Sequence, residues 1–215
     1  HAGDIRNGTN AAGQPGGLIT SQGALDLRAG QFEAIGGGEV SAKGDLQLAV
    51  AKLIQQQAQL IGEGNGRIDL GRVGQRGDFD NRGGLLSAGG ALHLNGLGNL
   101  DNRGGEISSA QGFALNASGD IDNSDQGHIT GDGQLDLGAG ALRNANQGLI
   151  SGWQGLSVNA TSLDNSTSGT LSSRNGALDV TLGGALDNHG QGALVSQGKL
   201  TVAAMVDRKS TRLNS

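Results

Sequence analysis

Apolar residues return along this chain in a fixed order of three. Ile5, Phe32, Leu53, Phe79, Leu100, Ile121, Leu142, Leu163 and Leu186 each open a unit, and from Phe79 to Leu163 the interval is 21 residues every time. A second anchor follows in each unit, usually ahead of a Ser or Thr: Ile19, Val40, Ile61, Leu86, Ile107, Ile129, Ile150, Leu171 and Val195. The third is a pair spaced by two: Leu25/Leu27, Leu46/Leu48, Ile68/Leu70, Leu92/Leu94, Phe113/Leu115, Leu135/Leu137, Leu156/Val158, Leu178/Val180 and Leu200/Val202. A spacing of two sets both side chains on one face of a strand. No unit carries apolar residues at helical spacing over ten positions, and Gly interrupts most candidate helices. The run AKLIQQQAQL between Val50 and Ile61 has a helix-forming composition, but its anchors keep the rhythm, so strand and loop are expected there too.

Three short strands and three corners in about 21 residues describe one coil of a β-helix, in which each strand pairs in parallel with its equivalent one coil away. The expected fold class is therefore all-β, a parallel β-helix or β-solenoid of about nine coils of roughly 21 residues. Residues 1–204 are expected to form the repeats, degenerate over 1–77 and regular over 78–204, with 205–215 as a non-repeat tail carrying Arg208, Lys209 and Arg212. The Gly pairs Gly36-Gly37, Gly83-Gly84 and Gly104-Gly105 fall between first and second anchors, where a tight corner needs positive φ or close backbone approach. Two residues after the first anchor comes Asn, at Asn7, Asn81, Asn102, Asn123, Asn144, Asn165 and Asn188. Stacked at one corner, Asn81, Asn102, Asn123, Asn144, Asn165 and Asn188 are expected to hydrogen-bond along the rod as a structural ladder.

Composition sharpens this picture mainly by exclusion. Twenty acidic and 15 basic residues give a net charge of −5, with no basic stripe to neutralise a phosphate backbone, so nucleic acid is not an expected partner. There is no cysteine, hence no disulfide framework or thiolate metal site. No stretch of 18 apolar residues occurs, and no membrane span is expected. The chain opens at His1 with neither an initiator Met nor a charged-then-apolar leader, as expected of an internal stretch of a longer protein.

Candidate chemistry is sparse. Arg76-Gly77-Asp78 is the tripeptide that integrins recognise, and it falls where the interval between first anchors lengthens from 21 to 26. Arg76, Gly77 and Asp78 are therefore the candidate receptor-binding residues, on an expected protruding loop. No catalytic residue, metal or cofactor is expected. His93, His128 and His189 lack metal-ligand spacing. Asp80, Asp101, Asp122, Asp164 and Asp187 recur at one repeat position, as a surface stripe does, rather than as two carboxyls in unlike environments. The column Ser87, Ser108, Thr130, Ser151 and Ser172 has no paired base. Some β-helices degrade polysaccharides, but the chain has no Tyr and one Trp, Trp153, expected at an exposed corner.

The recurrent phrases LDNRGG-x-I-S-S and A-L-x-L-x-A-x-G, clearest from Phe79 to Val202 and degenerate from Ile5 to Leu70, resemble the haemagglutinin repeats of filamentous-haemagglutinin-type exoproteins. The resemblance implies a right-handed β-helix stalk, exported by an outer-membrane two-partner secretion transporter and secreted or displayed at the surface of a Gram-negative bacterium. It implies a structural part in an adhesin, with a host or neighbouring-cell receptor as partner. The alternative end-use within the family is the shaft of a contact-dependent growth inhibition toxin carrier.

Overall fold

The computed structural model describes residues 2–9, 13–14 and 16–205, and these form strands and corners without a helix. The tail expected over 205–215 lies outside the described residues except for Met205. Every strand-to-strand pairing is parallel and joins equivalent residues of successive coils. The second anchors build one nine-stranded sheet that runs from Leu18–Ser21 to Ala193–Ser196. The third and first anchors share a second, fourteen-stranded sheet that wraps the other two sides. Leu25–Ile35, Leu46–Gln56, Gln134–Arg143 and Gly155–Asp164 pass round the corner between those sides unbroken. Elsewhere that corner is broken, as at Gly96 between Leu92–Asn95 and Leu97–Asp101, where φ is +71.

The repeat exists because each anchor lands on the anchor of the next coil. Phe32 pairs with Leu53, Leu53 with Phe79, Phe79 with Leu100 and Leu100 with Ile121, all of them buried. The apolar interior is therefore one continuous cluster along the axis. A coil by itself would leave its strands unpaired, so the fold is stable only as a stack. At the usual strand separation nine coils span about 43 Å.

Three anchor assignments are corrected by the register. Leu60, not Ile61, pairs with Val40 and Leu86 and is fully buried. Leu194, not Val195, pairs with Leu171, leaving Val195 47% exposed. In both places two apolar residues are adjacent, and a shift of one residue reverses which of them faces the core. The small residue two places on decides the matter: Gly62 falls in the column of Ala42 and Ala88, where the corner admits little bulk. The third correction is a slip of two. Gly66/Ile68, rather than Ile68/Leu70, align with Leu46/Leu48 and Leu92/Leu94. Such a slip keeps Leu70 facing inward, so periodicity alone could not detect it.

The 26-residue interval before Phe79 is a hairpin inserted between Gly66–Leu70 and Gly77–Asp80. Arg72 and Gln75 bridge antiparallel across its neck, and Val73 at its tip is wholly exposed. The run AKLIQQQAQL is strand through Gln56 and again from Gln59, with Gln57 at φ +52 turning the corner.

Candidate functional site: a polar corner and the loops beside it

The corner after the first anchor is built on buried amides. Asn81 Nδ2 donates to Asn102 Oδ1 at 2.6 Å, Asn102 to Asn123 at 2.6 Å, Asn123 to Asn144 at 2.7 Å, Asn144 to Asn165 at 2.8 Å and Asn165 to Asn188 at 2.7 Å. Each also ties its own corner, as Asn123 does by donating to the Gly127 carbonyl at 2.9 Å, and reaches the next coil at the Leu149 carbonyl at 3.1 Å. From Asn81 to Asn165 these side chains are completely buried, where every hydrogen-bonding group left unmatched is costly. Asn7 stands apart: Ala34 and Gln55 occupy the two positions between it and Asn81, and Asn7 donates to the Glu39 carbonyl instead. Gln55 turns its amide to the Ala58 and Leu85 carbonyls, so neither Gln55 Oε1 nor Asn81 Oδ1 has a partner.

A column of Gly answers the column of Asn. A Cβ on Gly105, Gly127, Gly148, Gly169 or Gly192 would lie within 2.8 Å of the Asn side-chain oxygen of its own coil and within 2.5 Å of the Asn carbonyl one coil away. Glycine is required there by close approach rather than by φ. The corner's left-handed residue is a different one, Gly83 and Gly104 in two coils and the non-glycine pairs Asp125-Gln126, Asn146-Gln147 and Thr167-Ser168 in the next three. Those three corners carry one extra residue and take their positive φ in polar side chains, which tolerate that region better than bulky ones.

The Asp stripe has a structural role that the sequence reading did not assign. Asp80, Asp101, Asp122, Asp164 and Asp187 each accept the backbone N–H two residues on, closing an Asx turn at the same corner. Arg82 bridges Asp80 at 2.8 Å and Asp101 at 3.6 Å, and Arg103 bridges Asp101 at 2.7 Å and Asp122 at 3.9 Å, an ion-pair chain up the outside of the rod. Burial pushes the Asp80 carboxyl up, but hydrogen bonds from Arg82 and Gln56 outweigh it and hold the group below its ordinary value of 3.8. A carboxyl depressed on folding stabilises the fold fully above its unfolded pKa and ceases to do so as pH falls through its folded pKa. Thermal unfolding is accordingly expected at a lower midpoint below about pH 3 than at pH 6. The Asp80→Asn variant should show the smaller drop of the two; equal drops would remove Asp80 as a cause.

A second polar column was also missed. Asp78 accepts from the Asn99 backbone at 2.8 Å and from its amide at 3.0 Å, Asn99 accepts from Asp120 N at 2.9 Å, and Asp120 accepts from Ala141 N at 2.8 Å. The signal was the polar residue directly before the first anchor, one coil apart each time. The tripeptide therefore divides between two settings. Arg76 is exposed at the foot of the hairpin, Gly77 is buried as the first residue of a strand, and Asp78 is an exposed member of this column. The hairpin tip itself is Val73-Gly74.

Among the described residues no group of three or more His, Asp or Glu is placed to hold a metal ion, and no helix is long and apolar enough to cross a membrane. Phe32, Phe79 and Phe113 are core, and Trp153 is 47% exposed.

A stack of near-identical coils with polar ladders at its corners defines a parallel β-solenoid. The chain belongs to the haemagglutinin-repeat family, whose sequence model matches residues 1–96, 61–144 and 128–214. That family is one of secreted or cell-surface, adhesin-type bacterial repeat proteins with a two-partner secretion context. Neither the curated proteins nor the solved structures give a significant match to the chain.

Proposed function

We propose that the chain is a stretch of the shaft of a large adhesin of a Gram-negative bacterium, passed through an outer-membrane two-partner secretion transporter. The shaft holds a distal tip away from the cell and presents its own loops to a receptor on a host or neighbouring cell. What supports this is the parallel pairing of coil on coil from Ala2 to Ala204, which makes length rather than a pocket the product of the sequence. Within this reading Arg76, Gly77 and Asp78 are the candidate receptor contact, with Asp78 exchanging Asn99 for the receptor.

The reading is tested by coating beads with the 215-residue chain and scoring attachment of cultured epithelial cells and of sibling bacteria. Saturable attachment above albumin-coated beads is expected. No attachment to either cell type would remove the adhesive role. Asp78→Glu keeps the charge but lengthens the side chain, and is expected to abolish epithelial attachment. Undiminished attachment would leave the tripeptide as a coil junction only.

A further inference from the structure

The only Trp of the chain is not in the core. Trp153 sits at the corner directly after the strand Leu149–Gly152, and Arg174 occupies the same place one coil on. Stacking of the coils therefore brings the two side chains together, with the guanidinium 5.9 Å from the ring centroid. Both side chains are exposed. Arg28, Arg67, Arg82, Arg103 and Arg143 each face an aspartate, whereas Arg72 and Arg76 of the hairpin, like Arg174, enter no ion pair among the described residues. Arg174 is absent from the ion pairs of the described residues, so its fork of donors is held over an aromatic face and left open to solvent.

Two hollows flank the pair. The smaller, about 240 Å³, includes Asp132. The larger, about 510 Å³, contains no carboxylate; Trp153, Arg174, Thr170, Ser172, Val195 and Gln197 shape it. Ser172 Oγ donates to Ser151 Oγ at 2.8 Å and so keeps its capacity to accept, and Thr170 and Gln197 line the same hollow. An aromatic face, an exposed aliphatic group, hydroxyl and amide groups and a guanidinium outside any ion pair are together complementary to an acidic sugar. A sugar ring lays its C–H face against the exposed part of the indole that the guanidinium leaves open, its hydroxyls meet Thr170, Ser172 and Gln197, and a carboxylate on the ring takes the bidentate donors of Arg174.

We infer that the larger hollow beside Trp153 and Arg174 is a binding site for a carboxylated saccharide. The inference rests on the adhesive reading above and names the chemistry of the surface that the shaft would touch. Because the site is shallow and open, one saccharide is expected to bind with a Kd of about 1 mM, and a displayed array would gain by multivalency.

The experiment uses the full chain and its only indole as the reporter. Sialyllactose, a hyaluronan tetrasaccharide and neutral lactose are titrated while Trp emission is followed, with ligand-observed NMR as a second readout that does not depend on the indole. Saturable binding of at least one acidic saccharide, about tenfold tighter than lactose, is expected, and the arm that saturates separates sialate from hexuronate. Arg174→Gln should remove that tenfold preference and Trp153→Ala should remove binding by NMR, both with unchanged thermal midpoints because both side chains are exposed. Absence of binding to 10 times the expected Kd, lactose binding as well as the acidic sugars, or full binding by Arg174→Gln would each overturn the inference. Loss here with bead attachment retained would leave the adhesive reading standing.

Discussion

Asn123→Leu is expected to lower the unfolding free energy of the chain by about 4 kcal/mol, roughly half of a typical domain's total. The replaced side chain is completely buried and accepts from Asn102 at 2.6 Å while donating to Asn144 at 2.7 Å. Leucine nearly preserves the volume but silences both contacts, together with the bonds to the Gly127 and Leu149 carbonyls. One Asn102 N–H and the Asn144 side-chain oxygen are then stranded in an interior with no water to replace the lost partner, at about 1–3 kcal/mol each. The Gly127 carbonyl is spared, because it also accepts from Leu149 N at 2.8 Å. Asn188→Leu supplies the comparison. Asn188 ends the series, accepts from Asn165 at 2.7 Å and is only partly buried, so its loss strands a single donor with water at hand and is expected to cost about 1 kcal/mol. Urea unfolding followed by far-ultraviolet dichroism measures both. Equal shifts of the two midpoints would show that the amides act singly and not as a buried series.

Much of this architecture was legible because one side chain per coil repeats one environment. The parallel pairing, the number of coils and the buried Phe residues follow from anchors that recur at 21 residues, since only stacking brings Phe79, Leu100 and Ile121 into line. Legibility ended where two neighbouring residues could satisfy the same pattern. Leu60 and Ile61 are equally apolar, and the choice between them was made by Gly62 against Ala42 and Ala88, a contact between coils that no local pattern contains. Likewise the Asp stripe was visible as a stripe, but its bonds to the amides two residues on depend on the corner's backbone geometry. The pairing of Trp153 with Arg174 was hidden for the same reason: 21 positions separate them in sequence and one coil in space.

Gly148→Ala is the complementary test, because it perturbs the Asn series without removing any of its hydrogen-bonding groups. An added Cβ would lie 2.4 Å from the Asn123 carbonyl oxygen, 2.6 Å from Asn144 Oδ1 and 2.8 Å from the Asn144 carbonyl. All three neighbours are oxygens engaged in the corner, and the two that belong to backbone cannot swing away as the end of a flexible side chain would. Relief requires the coils to part, which strains the Asn123–Asn144 bond, and the Asn144 amide to shift, which breaks its bonds to Asn165 and Gly148. Overpacking of a close-packed site costs about 1–3 kcal/mol, and the loss of buried hydrogen bonds adds to it, so about 3–5 kcal/mol is expected. At an ordinary helix or strand position the same substitution would be stabilising by up to about 1 kcal/mol, which makes the sign decisive. The molecule holds its own precedent. In the one coil where Gln55 stands in the Asn column, the Gly column holds Ala58, fully buried and tolerated. If close approach to Asn144 is what excludes a methyl group, then Asn144→Ala combined with Gly148→Ala should cost clearly less than the sum of the two single changes, a coupling of about 1–3 kcal/mol in a double-mutant cycle. Strict additivity would show that the glycine column answers to backbone conformation and not to the amides beside it.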